Sequence, residues 1–309
     1  MASSIKWIYS EKAYLMTYII TGAHGFLGSH ILRQLENEKV FTIGRGPSND
    51  LVCDLSNEIP TLPEAKVVIH CAGKAHMLPK TPEEEAEFFA VNLQGTQNFL
   101  KGVSNMKVLP DQFVFISSVA VYGKEFGEMI PESHPLNGKS PYAKSKIEAE
   151  KLVQEWGCSN GVPTLILRLP LIVGKCPPGN LGKMISGIAK GKYASIGKGK
   201  ARKSMVAAND VAELIARVTR VEGIYNLTDG IHPTFADLET EICQKLNLNI
   251  KIYVPLGIAK LLGKIGDWFP FFPVNSLVIN KMVSDLTFDD TLARKKLDWQ
   301  PGPSLNSLF

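Results

Sequence analysis

A tyrosine and a lysine stand four residues apart in the segment SPYAKSK, residues 140 to 146. A helix places side chains at i and i+4 on one face, so Lys146 could lie beside Tyr142. A neighbouring ammonium lowers the pKa of a phenol, which would make the tyrosine a proton donor and acceptor. The same spacing occurs on many helix surfaces, so it indicates acid–base chemistry only where the surrounding elements support it.

The elements around this pair alternate short apolar runs with helical segments. Nearly continuous apolar runs of strand length are typical of parallel strands covered on both faces. A capping box opens one intervening helix, with Thr81 as N-cap, Pro82 at the first position and Glu84 three residues after the cap. The strand-length runs are TYIIT at 17–21, VFTI at 40–43, VVIHCA at 67–72, FVFISS at 113–118 and PTLILRL at 163–169. Their order predicts an α/β protein with a Rossmann-like, doubly wound parallel sheet.

The domain organisation follows from where this regularity weakens. Residues 16–170 are predicted to form the nucleotide-binding domain, and residues 1–15, ahead of Met16, an N-terminal extension outside the fold. Glycine and lysine alternate in AKGKYASIGKGKARK, and prolines interrupt the chain between 255 and 273. Residues 171–309 therefore read as a smaller mixed substrate-binding region, with the segment 222–229 returning a strand to the main sheet.

Composition excludes several classes of function. The 309 residues carry 34 basic and 30 acidic side chains, a net charge of +4, scattered rather than clustered, so no nucleic-acid partner is indicated. Five cysteines without a C-x-x-C pair are typical of reduced thiols in a cytoplasmic protein and predict no metal site. The apolar stretch 256–279 is interrupted by Lys260, Lys264, Asp267 and two prolines. It favours a buried helix and loop, or a partner surface, over a membrane span.

A glycine pattern follows the first strand and opens a helix. In TGAHGFLGSH, Gly22, Gly25 and Gly28 form G-x-x-G-x-x-G, with Phe26 and Leu27 between the last two. Glycines let the backbone approach a pyrophosphate, whose charge the helix N-terminus stabilises. The segment predicts a dinucleotide site, because it stands in the strand–helix context that the motif requires.

The choice of dinucleotide depends on the end of the second strand. An acidic residue there would accept the 2′-hydroxyl of NAD, but the sequence has Thr42-Ile43-Gly44-Arg45. Arg45 could bind a 2′-phosphate bidentately, which favours NADP(H) and leaves NAD possible; the alternative is a solvated loop arginine. Asp54 and Leu55 are predicted to face the adenine, unless Asp54 is a helix cap.

Ser118 lies 24 residues before Tyr142, at the end of a predicted strand, where a doubly wound sheet presents its carboxyl edge to a ligand. Together with this serine, six motifs along the chain occur in the order typical of the extended short-chain dehydrogenase/reductases. The sequence resembles the nucleotide-sugar epimerase, dehydratase and reductase branch of that superfamily over nearly the whole chain from Met16. The motifs are TGAHGFLG at 21–28, HCAG at 70–73, VNLQGTQN at 91–98, SSVAVYG at 117–123, YAKSK at 142–146 and LRLPLIVG at 167–174.

The resemblance implies roles for individual residues. Tyr142 would be the acid/base, Ser118 would hydrogen-bond the substrate oxygen, and Lys146 would lower the tyrosine pKa and hold the nicotinamide ribose. Further cofactor contacts are implied for Ala72, Asn92, Ser117 and Pro170, with Asn92 positioning a helix rather than reacting. Substrate contacts are implied for His76, Asn180, Arg202 and Lys203, where Lys203 stands in the place usually held by arginine.

The resemblance also narrows the reaction. In the dehydratases of this branch an Asp-Glu pair follows the hydroxyl residue, whereas here Val119-Ala120 follow Ser118 and neither can carry a proton. Dehydration is therefore disfavoured, which leaves epimerisation or reduction. The Gly44-Arg45 interpretation then favours NADPH-dependent reduction of a 4-keto sugar that is nucleotide-linked, expected to be UDP-linked, in polysaccharide biosynthesis. The alternative is a UDP-hexose 4-epimerase with tightly bound NAD, and a non-catalytic NADP-sensing module is less favoured. The family often forms homodimers, which predicts a homodimer here.

Overall fold

The computed structural model describes residues 16–75, 79–268 and 275–309. The predicted N-terminal extension and His76 lie outside the described residues. The strands are β1 Thr17–Thr21, β2 Lys39–Gly44, β3 Leu51–Val52, β4 Val67–His70, β5 Gln112–Ser118, β6 Gly127–Ile130, β7 Thr164–Leu169, β8 Leu171–Val173, β9 Ala194–Ile196, β10 Met205–Ala207, β11 Gly223–Asn226, β12 Ile252–Val254 and β13 Leu286–Phe288.

Helices connect most of these strands. They are α1 Phe26–Gln34, α2 Pro82–Phe89, α3 Gly95–Ser104, α4 Pro141–Asn160, α5 Gly179–Ala189, α6 Ala208–Arg217, α7 Phe235–Leu246, α8 Leu256–Trp268, α9 Ser276–Val283 and α10 Thr291–Leu297. A π-helical turn, Ala90–Gln94, joins α2 to α3, and 3₁₀ turns occupy Val119–Tyr122 and Ser304–Ser307. Across the described ranges, no helix combines the length and apolarity that crossing a membrane requires.

Seven parallel strands form the central sheet, in the order β11-β7-β5-β4-β1-β2-β3. The predicted Rossmann-like α/β class is confirmed. The chain runs from β1 to β2 and β3 in one direction and then from β4 outwards in the other, so the strand order reverses between β1 and β4. At such a switch point the carboxyl ends of the strands leave a crevice for a ligand.

Apolar side chains on both faces explain why the strands are buried. Along β1, Tyr18 and Ile20 join one core cluster with α1 and α6, while Ile19 between them joins a second cluster with α3 and α4. Successive strand residues point to opposite faces, so a continuous apolar run supplies both cores at once.

The start of α2 shows how local chemistry sets a helix boundary. The Thr81 hydroxyl accepts from the Glu84 backbone N–H at 3.3 Å, and Pro82 occupies the first turn. The Glu84 carboxylate accepts from the Lys80 backbone N–H at 2.5 Å, one residue before the expected partner Thr81. The threonine cap forms as predicted. The prediction of a capping box is wrong in its second hydrogen bond, because Glu84 accepts from Lys80 rather than from Thr81.

Three small parallel pairs complete the second half of the chain: β8 with β10, β9 with β12, and β6 with β13. A separate apolar cluster with residues of α5 and α7 lies in this half. Strand β11 joins the central sheet beside β7, with Asn226 opposite Arg168. The two halves of the chain therefore share one sheet.

Candidate active site

The glycine loop lies at the switch point of the sheet. Gly22 has φ of +70°, and a Cβ added there would lie 2.7 Å from the Ala72 backbone nitrogen. A Cβ on Gly28 would lie 2.0 Å from the Gly22 carbonyl oxygen. Only glycine fits either position, because real Cβ atoms do not approach backbone this closely. Gly25 is the N-cap of α1, so the backbone turns the helix N-terminus toward the cleft, as a pyrophosphate requires.

The first helical residues divide between cleft and core. Leu27 is buried in the core cluster and Phe26 packs edge-on against His30, with ring centroids 5.4 Å apart. Any contact from Leu27 to a ligand therefore comes from its backbone.

A cavity of about 490 Å³ lies beside this loop. It brings together several residues that the sequence predicted for a cofactor, namely Gly22, Gly25, Arg45, Asp54, Leu55 and Ala72. It also includes residues that the sequence analysis missed, among them His24, Ser48, Asn49 and Lys74. The segment RGPSN that follows β2 could have revealed two of them, because an arginine, a hydroxyl and an amide close together in sequence offer hydrogen-bond donors to a phosphate.

Hydrogen bonds within the loop after β2 hold several residues that line the cavity. The Asn49 amide donates to the Gly46 carbonyl at 2.8 Å, and a His24 ring nitrogen lies 3.2 Å from the Ser48 carbonyl oxygen. The nearby Asp50 carboxylate accepts from the Thr42 backbone N–H at 2.8 Å and from its hydroxyl at 2.7 Å, and these bonds lower its pKa. This acidic residue is thus engaged by the strand. Asp54 lines the cavity and also accepts from the Ser56 backbone N–H at 3.1 Å.

Ser118 and Tyr142 meet beside the carboxyl end of β5. The Ser118 hydroxyl accepts from the Ala120 backbone N–H at 3.2 Å and caps the 3₁₀ turn. Ser140 caps α4 by accepting from Ala143 N–H at 3.1 Å, which puts Tyr142 in the first turn. Desolvation raises the pKa of Tyr142, and a hydrogen bond with Ser118 lowers it in part. Since Ser118 already accepts one bond, its proton remains available to the phenol or to a substrate oxygen.

Lys146 lies one turn further along α4 and is buried. Its ammonium donates to the Ile116 carbonyl at 2.5 Å and lies 4.0 Å from the centroid of the Phe115 ring. Desolvation lowers the pKa of Lys146 to about 8, against the opposing effect of Glu150. The effect of Lys146 on the pKa of Tyr142 stays a prediction, because burial is the dominant influence on that pKa here. Burial raises that pKa, and the ammonium is held by the strand carbonyl.

Asn92 joins two elements that border the cleft. Its amide oxygen accepts from the Lys74 backbone N–H at 2.7 Å, and its amide nitrogen donates to the Lys74 carbonyl at 3.1 Å and to Ser145 Oγ at 3.0 Å. The side chain thereby ties the loop after β4 to α4. All the polar contacts that the structure gives it are internal, which matches a positioning role.

A buried polar network lies behind the cleft and was not foreseen. The Ser117 hydroxyl donates to the Glu150 carboxylate, and Arg168 Nη2 contacts the same carboxylate at 2.7 Å. Arg168 also donates to the Tyr122 hydroxyl at 3.1 Å, which in turn donates to Asn226 at 2.8 Å. Ser117 and Ser118 point to opposite faces of β5, so Ser117 could contact a cofactor only through its backbone. Glu150 follows Tyr142 and Lys146 at helical spacing, and that carboxylate on a buried face was the available signal.

The predicted substrate residues are not gathered into the cavity. Asn180 is exposed in the first turn of α5, and Pro170 joins β7 to β8. Arg202 makes ion pairs with Glu128 at 2.7 Å and Asp285 at 2.8 Å. The Lys203 ammonium donates to the Ser284 carbonyl at 2.8 Å, and burial lowers its pKa. Over the parts of the chain that are described, no cluster of three His, Cys, Asp or Glu is placed to bind a metal.

The chain belongs to the NAD-dependent epimerase/dehydratase family, whose family model matches residues 18–227. The predicted resemblance is therefore confirmed, and the chain is an NAD(P)-dependent enzyme of the extended short-chain dehydrogenase/reductase type. A dinucleotide fits the glycine loop, because the close approach of neighbouring backbone at Gly22 and Gly28 leaves no room for side chains there.

Two of the curated relatives are 4-epimerases. An N-acetyl-α-D-glucosaminyl-diphospho-ditrans,octacis-undecaprenol 4-epimerase of Escherichia coli O157:H7 is 31% identical over 66% of this chain and 64% of its own length. The match thus spans less than two thirds of that relative. A UDP-glucose 4-epimerase of Vibrio cholerae is 24% identical over 94% of this chain and 92% of its own.

Solved structures share the fold. A UDP-glucuronic acid 4-epimerase from Bacillus cereus, in complex with NAD, aligns with a TM-score of 0.72 at 18% identity, covering 94% of this chain and 95% of that one. The protein RMD from Pseudomonas aeruginosa, complexed with NADPH, aligns with a TM-score of 0.69 at 20% identity, covering 95% and 97%. The fold thus accommodates either dinucleotide.

Proposed function

We propose that this chain is an NADP(H)-dependent oxidoreductase that reduces the 4-keto group of a nucleotide-linked, UDP-type hexose. The observation that carries the proposal is the proximity of Ser118, the last residue of β5, to Tyr142 in the first turn of α4, at the carboxyl edge of the sheet. That pair can protonate and deprotonate one oxygen. No residue of the turn Val119–Tyr122 carries a carboxyl group, so water elimination lacks an acid at this position.

Tyr142, Ser118 and Lys146 have different roles in the proposed reduction of a ketone. When bound, the dinucleotide supplies a hydride, which forms a C–H bond at the carbonyl carbon. Tyr142 gives its proton to the carbonyl oxygen as the C=O double bond becomes a single bond, and solvent later returns a proton to the phenolate. Ser118 donates a hydrogen bond to that oxygen and fixes its position. Lys146, held between Phe115 and the Ile116 carbonyl, offers its remaining N–H donors to a ribose hydroxyl.

The preference for NADP(H) rests on the loop after β2. Arg45, Ser48 and Asn49 line the same cavity, and the acidic residue nearest to them in sequence, Asp50, is engaged by Thr42. A guanidinium with neighbouring polar groups suits a 2′-phosphate, and a bidentate contact of this kind is charge-assisted.

Replacing Arg45 tests the cofactor assignment. In Arg45→Ala we expect kcat/KM with NADPH to fall about tenfold to hundredfold, since a hydrogen bond to a charged group contributes about 1.5 to 3 kcal/mol. The value with NADH should change little. Lys39→Ala is the matched control, because it removes one positive charge from the start of the same strand. Equal losses with both dinucleotides would contradict the assignment.

Replacing Tyr142 tests the reaction itself. Tyr142→Phe should lower kcat by about 10²–10⁴-fold, the usual contribution of a positioned acid/base, and leave NADPH binding unchanged by fluorescence titration. The exposed Tyr253 provides the control variant Tyr253→Phe. Turnover that survives in Tyr142→Phe would remove the assigned proton donor.

A 4-epimerase with retained NAD is the second candidate, because the two curated relatives described above are 4-epimerases. The two candidate functions are separated by denaturing the purified protein, identifying the released dinucleotide by mass spectrometry and measuring its amount per chain. Stoichiometric NAD would identify an epimerase, whereas little retained cofactor, with turnover of 4-keto nucleotide sugars by NADPH, would identify a reductase.

A homodimer through α3 and α4 is part of the same proposal. These helices pack side by side on one face of the sheet, and α4 exposes Lys144, Glu148 and Lys151. Light scattering after size-exclusion chromatography measures the state directly, and Lys151→Glu should weaken the dimer if this face forms it.

A further inference from the structure

Helix α8 presents its large apolar side chains to solvent. Leu261 is 59% exposed and Trp268 is 85% exposed, and Ile258, Leu262 and Ile265 are exposed with them. These five residues recur at i, i+3, i+4, i+7 and i+10, so they form one stripe along the helix. The stripe is called the α8 surface below. The alternative of a buried helix for this segment is wrong.

The residues on the opposite side of α8 explain why its large apolar side chains are exposed. Its buried residues are small, Ala259, Gly263 and Gly266, and they let α9 approach closely. A Cβ on Gly263 would lie 3.1 Å from the Ser276 Cα atom. The Ser276 backbone N–H donates to the Asp267 carboxylate at 3.0 Å, which fixes the two helices together. The fold thus uses glycine and alanine for internal packing and leaves the large side chains outside.

Lysines lie on α8 itself and in a basic segment that reaches the start of the helix. Lys260 and Lys264 lie along one side of the stripe on the helix itself, and both are exposed. Residues 175–203, the basic segment, contain eight Lys and Arg residues and no Asp or Glu. A cavity of about 580 Å³ on its helix α5 is lined by Lys183, Lys190 and Lys192.

The sheet pair β9–β12 joins the basic segment to α8. Ala194 pairs with Ile252 and Ile196 with Val254, two residues before the helix begins. A Cβ on Gly197 would lie 3.6 Å from Leu256 Cβ at the helix start. The lysines on either side of β9 therefore lie next to the beginning of the apolar stripe.

We propose that the α8 surface and the basic segment dock the protein peripherally onto an anionic lipid bilayer. Apolar residues on one helix face, an exposed tryptophan and flanking lysines are the features of helices that lie in a membrane interface. Each lysine near an anionic surface adds electrostatic attraction, which salt screens. The inference is independent of the proposed reaction.

A second copy of the chain fits this surface less well. A two-fold dimer places the same patch against itself, so the lysines beside the stripe would face the lysines of the partner. An anionic bilayer instead supplies the opposite charge and an apolar interior at the same boundary. Charge complementarity therefore selects the lipid.

Vesicle binding tests the proposal with the full chain. We expect the protein to sediment with vesicles of phosphatidylglycerol and phosphatidylcholine, more weakly at high salt, and much less with phosphatidylcholine alone. Leu261→Ser with Ile265→Ser should weaken binding at least about tenfold, because two apolar side chains no longer enter the lipid. Lys190→Gln with Lys192→Gln should weaken binding to the anionic vesicles only.

The controls separate docking from folding and from self-association. Ile59→Ser with Val108→Ser changes two exposed apolar residues far from α8 and should leave binding unchanged. Thermal melting should be unaltered in the α8 double variant, because both side chains are exposed. The proposal is overturned if the wild type does not sediment with anionic vesicles, if the α8 variant binds as well as the wild type, or if that variant instead dissociates a dimer in the absence of vesicles.

Discussion

Two arginines hold carboxylates at the same distance, one inside the protein and one at its surface. Arg168 contacts Glu150 at 2.7 Å with side chains 3% and 1% exposed, and Arg202 contacts Glu128 at 2.7 Å with side chains 44% and 65% exposed. Water screens the second pair and not the first. The same contact distance therefore has different energetic consequences, because burial makes the inner pair strong and solvent weakens the outer one.

The inner pair is also connected to the catalytic helix. Glu150 accepts from Ser117 on β5 and from Arg168 on β7, and it lies one turn beyond Lys146 on α4. One carboxylate thus joins two strands to the helix that carries Tyr142. The outer arginine joins β6 to the segment before β13, outside the main sheet.

The largest expected effect comes from breaking the inner pair. Glu150→Ala should lower the free energy of unfolding by about 3 to 5 kcal/mol, because it leaves the Arg168 charge buried without a partner. Urea denaturation measures the change. The double variant Glu150→Leu with Arg168→Met should lose less than the single one, since it removes both charges. A double variant that is less stable still would contradict this account.

The next effect concerns Ser117, which donates to the same carboxylate. Ser117→Ala should cost about 1 to 3 kcal/mol of stability, the usual contribution of a buried hydrogen bond to a charged group. Ser29→Ala, on an exposed helical hydroxyl that bonds the Phe26 carbonyl, is the control with little expected change. A smaller loss in Ser117→Ala than in the control would remove Ser117 from the network.

A third prediction removes the negative charge of Glu150 while keeping the shape of its side chain. Desolvation lowers the pKa of Lys146 to about 8 and Glu150 opposes this shift, so the ammonium loses its proton as pH increases through that value. If the charged form supports turnover, kcat/KM falls on the alkaline side. In Glu150→Gln the supporting negative charge is gone, the pKa of Lys146 drops further, and the fall begins at lower pH. Glu148→Gln, exposed on the same helix, should leave the profile unchanged.

The smallest effect on stability is expected for the outer arginine. Arg202→Ala should leave the urea midpoint within experimental error, because its ion pairs are solvated. If Arg202 contacts the substrate, the same variant raises KM for the nucleotide sugar and leaves KM for NADPH unchanged. A large loss of stability would show that the two arginines differ less than their exposure indicates.

The fold was predictable because its signals are local. Continuous apolar runs at 17–21 and 113–118 correspond to β1 and β5, and the glycine loop follows β1 as expected. A strand buried on both faces is recognisable from its own residues, without knowledge of its neighbours.

The inner network was not predictable, because it depends on contacts between distant residues. Glu150 and Arg168 are ordinary charged residues in the sequence, and their pairing appears only when α4 lies against β7. Arg202 likewise meets Asp285, 83 residues further along the chain. The orientation of α8 is hidden for another reason, since an amphipathic pattern has the same period whichever face packs inward.

The position of β11 has a consequence for synthesis on the ribosome. Strand β1, at residues 17–21, lies inside the sheet, whereas its outermost strand on the β7 side, Gly223–Asn226, is translated some two hundred residues later. At about 5 to 20 residues per second, β7 waits several seconds with an unpaired edge. Nascent chains of this length are therefore where a chaperone or a second nascent chain would compete for that edge.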